Sequence, residues 1–95
     1  MTSARLELHK RVVEFIDRNY IEVIDNGLMD DILFNEYKAN VDNLYAQPPL
    51  SDSEQVKQLQ WLDFMLKQMK DCAKDNLLAG NPQPVFKALL DYVEL

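Results

Sequence analysis

The chain has 95 residues, sixteen Asp and Glu against ten Lys and Arg for a formal charge of −6, and 47% hydrophobic residues. The apolar share excludes a disordered chain, because it supplies enough material for a packed core. The acidic balance excludes a phosphate-tracking surface, which needs a net positive face, so no nucleic-acid partner is expected.

Thr2 or Ser3 can cap a first helix running over about residues 3–26. Leu8, Val12, Val13, Phe15, Ile16, Tyr20, Val23 and Ile24 share one half of its wheel, with Leu6 and Ile21 off centre. The β-branched content is high, but a 3.6-residue period held over five turns outweighs that local strand preference. Gly27 closes the helix as a left-handed residue just past its end.

A second helix is expected over about 29–46. Asp30 and Asp31 favour its positive N-terminal end. Met29, Leu33, Tyr37, Val41 and Leu44 form an i, i+4 row flanked by Phe34 and Tyr45, with Asp31, Asn35, Lys38 and Asp42 opposite. Pro48 and Pro49 then make Gln47 to Leu50 a stiff loop.

The stretch from Ser51 to Ala79 is the longest helical pattern, with no Gly or Pro inside. Ser51 and Glu54 have the S-x-x-E spacing of a capping box, and Gly80 followed by Pro82 makes the stop. The third helix is therefore expected over about 52–79. Leu59, Leu62, Met65, Leu66, Met69, Cys72, Ala73 and Leu77 fall on one broad face. Lys57, Gln60, Asp63, Lys67, Lys70, Asp71, Lys74 and Asp75 fall mostly on the other. Phe64 breaks the pattern, pointing into the polar arc one turn after Trp61 at the edge of the apolar face. An aromatic pair at i, i+3 beside a charged face is the kind of anchor that interfaces use; its competing role is to be covered by another segment or a second copy. Trp61 and Phe64, with Gln60, Lys57 and Gln68 beside them, are the candidate partner-binding residues.

A short fourth helix is expected over about 84–94, with Pro84 at its first position and Val85, Phe86, Leu89, Leu90 and Val93 on its apolar face. The fold expected is all-α: a four-helix, mainly antiparallel bundle of uneven helices, forming a single domain over residues 1–95. The short last helix leaves a strip of the long ones for another helix or a second subunit to cover.

The chain offers little chemistry. The lone Cys72 cannot close an internal disulfide and reads as a small hydrophobe in a reducing compartment. The segment MTSARLELHKRVVEF has no apolar core of a signal peptide, and no run reaches the roughly 18 apolar residues of a membrane span. A cytoplasmic protein without a membrane partner is expected. The only histidine, His9, lies in the apolar half of the first helix; it suggests either a phosphotransfer histidine on a helical bundle or a partly buried structural one, and the structural role fits its Leu8-His9-Lys10-Arg11 context better. Residues 25–36, DNGLMDDILFNE, have the acidic ends of a calcium loop, but Gly27, Met29 and Asp30 stand where ligands and the sharp-turn glycine belong. Asp52-Ser53-Glu54 lacks the Asp-Ser-Leu context of a carrier-protein serine and reads as a helix start. No metal, cofactor or catalytic residue is expected, and the chain is not expected to be an enzyme.

The function expected is protein–protein binding of the regulator, immunity-protein, antitoxin or chaperone type, with a basic partner matching the acidic surface. Two alternatives stand beside it: a structural homodimerising module, and a phosphotransfer domain using His9.

Overall fold

The computed structural model describes residues 4–46 and 50–94, and every described element is helical. In chain order these are α1 (Ala4–Arg18), α2 (Tyr20–Asp25), α3 (Asp31–Leu44), α4 (Asp52–Leu78) and α5 (Pro84–Val93). The molecule measures 45 × 22 × 17 Å. Its long dimension is close to that of α4, whose 27 residues span roughly 40 Å at 1.5 Å per residue.

The first expected helix is two helices. Asn19 departs from helical geometry at φ −120°, ψ 32°. Its amide Nδ2 donates to the Phe15 carbonyl at 2.9 Å, while its backbone N–H is shared between the Phe15 and Ile16 carbonyls at 3.0 and 3.2 Å. Asparagine side chains compete with the backbone for such partners, and that competition bends the helix here. The hydrogen-bond ladder resumes at once, Val23 donating to the Asn19 carbonyl at 2.9 Å.

The second expected helix begins two residues later than its apolar row suggests. Asp30 is the N-cap, its Oδ1 accepting from Leu33 N–H at 2.8 Å, so Leu28 and Met29 are left outside the helix and are buried in the corner. Ser51 caps α4, accepting from Glu54 N–H at 3.4 Å. The Thr2 or Ser3 cap and the proline loop at 47–49 lie outside the described residues.

Both glycines do what their positions demand. Gly27 (φ +74°) and Gly80 (φ +84°) are left-handed. At Gly27, Gly27 N–H donates to Ile24 O and Leu28 N–H to Val23 O; at Gly80, Gly80 N–H donates to Leu77 O and Asn81 N–H to Asn76 O. Each is a Schellman motif, which satisfies carbonyls that the helix end would strand. Buried Val23 and Leu28 occupy the positions whose apolar contact usually accompanies the first motif. At the second, an amide contact from Asn81 Nδ2 to Asn76 Oδ1 takes that place at 3.1 Å.

The expected apolar faces form one core. Val12 and Ile16 of α1, Tyr37 of α3, Leu62 of α4 and Phe86 and Leu89 of α5 are all fully enclosed. Leu6, off centre on the wheel, is buried too, because buried His9 one turn on widens the inward stripe. Tyr20 and Leu77, expected inside, are 40% and 37% exposed; Tyr20 follows the bend and meets Phe34 at 5.9 Å between ring centres. α4 packs against α3 and α5, and α1 against α3, α4 and α5. Along the α1–α5 contact, Tyr92 lies 5.2 Å from Phe15 and beneath the guanidinium groups of Arg11 and Arg18, at 5.1 and 5.7 Å. No helix among the described residues is long and apolar enough to cross a membrane.

Gly80→Ala should lower the free energy of unfolding by about 1–2 kcal/mol through left-handed strain alone, since a Cβ there meets nothing within 4 Å. Gly80→Asn should cost less. Urea melts of the two variants check this ordering.

Candidate functional site

Two places hold more than ordinary packing. The first is internal. His9 is completely buried and both of its ring nitrogens are engaged: Nδ1 with the Tyr37 hydroxyl at 2.5 Å and Nε2 with Asp63 Oδ1 at 2.7 Å. Asp63 Oδ2 in turn receives Arg5. Burial first, and the nearby Arg5 charge second, push the His9 pKa down to about 4, and burial holds Tyr37 far above the ordinary tyrosine range. The roles follow from these states. The Tyr37 O–H donates to Nδ1, the neutral imidazole donates Nε2–H to Asp63, and the Arg5 guanidinium donates to the same carboxylate. The Asp63 carboxylate would favour an imidazolium, but it is already neutralised by Arg5 and is 37% exposed, so the desolvation of the ring prevails.

This chain corrects two expectations. Asp63, assigned to the solvated face of the third helix, is a half-buried partner of the histidine. His9, expected to be partly buried, is wholly enclosed with both nitrogens occupied, so it presents neither to a phosphoryl donor. Cys72 is not its neighbour: the thiol donates to Gly27 O at 3.7 Å.

The second place is a surface groove of about 580 Å³ between α4 and the α2–α3 corner. Phe64, Gln68 and Cys72, spaced i, i+4, i+8, run along one wall, with Met65 and Met69 buried beside them. The other wall is Ile24, Gly27, Leu28 and Met29 from the corner, then Asp30, Asp31 and Leu33 from the start of α3. The α2–α3 corner exists because Gly27 reverses the chain and Asp30 restarts it; the same two residues define the groove's far side.

The five candidate residues separate. Phe64 (57% exposed) and Gln68 line the groove. Trp61 is half-buried and packs inward, 6.4 Å from the Tyr37 ring. Gln60 and Lys57 are exposed on α4 ahead of Phe64 and do not line the groove. The wheel of the third helix finds Phe64 because a large ring in a polar arc breaks the pattern. The corner residues escape it, since only the tertiary fold brings them opposite Phe64. Among the described residues no three His, Cys, Asp or Glu side chains converge on one point.

Tyr37→Phe removes the donor to a buried nitrogen and should cost about 1–3 kcal/mol, read from urea midpoints. The pH dependence follows from the His9 pKa, which is lowered on folding from 6.5 to about 4. The unfolded chain therefore takes up this proton first. Stability from the neutral ring is complete above pH 6.5 and is lost as pH falls toward 4. Urea midpoints should show that slope in the wild type and a shallower one in His9→Gln.

Compared with protein-family models, characterised proteins and solved structures, the chain matches none.

Proposed function

We propose that this protein acts by binding another protein, as regulators, immunity proteins, antitoxins and chaperones do, and that it does so through the groove between α4 and the α2–α3 corner. The scaffold in this reading is a four-helix, mainly antiparallel bundle in which α1 and α2 are one bent member. The observation that carries the reading is Phe64: a phenyl ring 57% exposed at the edge of an apolar groove. Large aromatic side chains left open beside an apolar concavity are the residues that dominate binding energy at interfaces. The carboxylates of the groove are accounted for without catalysis: Asp30 caps α3 and Asp31 sits in its first turn. Trp61 serves the fold in this reading, and Phe64 and Gln68 serve the partner.

Phe64→Ala tests the proposal. Because the ring is already more than half open, the variant should keep its helicity and unfold at nearly the wild-type urea concentration. Its affinity for the partner should fall by roughly 30-fold or more, as for a hot-spot residue. The partner would be identified by quantitative mass spectrometry of captured complexes, comparing wild type, Phe64→Ala and the remote control Lys87→Ala. A partner retained equally by all three, or an unfolded Phe64→Ala, sinks the proposal.

A further inference from the structure

We infer that the groove selects a basic partner segment, one presenting a large apolar side chain next to Lys or Arg, and that it does not seat a second copy of this chain. The inference rests on the docking role proposed above and adds the chemistry of the occupant.

The first support is the groove's apolar surface. The sequence contains four methionines, and the three beyond the initial residue, Met29, Met65 and Met69, all line this one groove. All three are buried at the base of the groove, and methionine, unbranched and polarizable, repacks around an inserted apolar side chain more readily than a branched residue does. The second support is the rim. Asp30 and Asp31 are its charged residues, both exposed, and no described cation lines the groove. Asp30 keeps one oxygen for the Leu33 N–H, which holds the carboxylate in place at the groove edge. Three of the four lysines of α4 are drawn elsewhere, Lys67 to Asp71 and Lys70 and Lys74 to Glu94, and the fourth, Lys57, does not line the groove. The groove therefore combines an apolar surface with an acidic edge that no cation of the groove lining faces.

The third support is self-repulsion. A second copy seated there would bring another molecule of net charge −6 against this acidic edge. A basic segment reverses the sign of that interaction and gains from it both in approach rate and in register.

The test uses the full chain with its methionine methyls labelled with carbon-13 and two amphipathic peptides sharing one leucine- and phenylalanine-bearing face. One peptide is flanked by Lys and Arg, the other by Asp and Glu. The basic peptide should shift the Met29, Met65 and Met69 methyl resonances and bind more weakly as salt is raised. The acidic peptide should leave them in place. Asp31→Lys should weaken the basic peptide by about two- to five-fold, the scale of an exposed ion pair. Equal shifts with both peptides would overturn the charge selection while leaving the docking role standing. No methyl shift with either would remove the docking role as well. Two further results would overturn the inference by naming another occupant. One is methyl shifts that change on dilution, together with a dimer mass by light scattering. The other is an apolar small molecule carried through purification and seen in the native mass.

Discussion

A fully buried imidazole is the constraint around which three helices of this molecule are arranged. His9 sits on α1, the hydroxyl it accepts from is on α3, and the carboxylate it donates to is on α4. A buried ring with an unmet donor or acceptor would cost on the order of 1–3 kcal/mol for each missing partner. The packing of α1 against α3 and α4 is therefore tied to the geometry of these contacts. Hydrophobic burial around them is strong but non-directional. The polar chain adds direction, favouring the register of α1 in which both nitrogens are met. Arg5 completes it from the solvent side, allowing a carboxylate to sit at the edge of the core without a net charge facing inward.

The same chain shows where sequence reasoning ends. The period of α1 places His9 on an inward face, and the apolar row of α3 contains Tyr37. Neither observation pairs them. Asp63 is 54 residues from His9 and 58 from Arg5, and on the wheel of α4 it belongs with the lysines. Only assembled helices turn that position into a partner. Local signals travelled much better. The Ser51 cap, Pro84 at the start of α5, and the glycine terminations at 27 and 80 are each decided within a few residues, and the structure has them where local chemistry puts them. Asn19 is the local feature that periodicity hides. Its neighbours keep the apolar pattern through the bend, so the pattern alone cannot reveal that its side chain has taken the Phe15 carbonyl.

The aromatic pair of α4 illustrates the same division at the surface. Trp61 and Phe64 lie one turn apart and both beside charge, but the wheel already separates them, with Trp61 at the edge of the apolar face and Phe64 in the polar arc. They differ because α3 lies over one and not the other. Tyr37 approaches the Trp61 ring, whereas Phe64 faces the opening that the corner leaves. The identity of the exposed ring is legible in its polar neighbours; the groove beside it depends on where α3 begins, which Asp30 sets by capping.

The two sides of that groove are held very differently. One is the middle of a 27-residue helix with packed neighbours on α3 and α5. The other leans on α2, six residues long, with Val23 its buried side chain and a bend immediately before it. A helix that short draws little stability from its own hydrogen bonds. The corner is instead held by its side chains, since Val23, Leu28 and Met29 belong to the same buried cluster as Leu62 and Phe86.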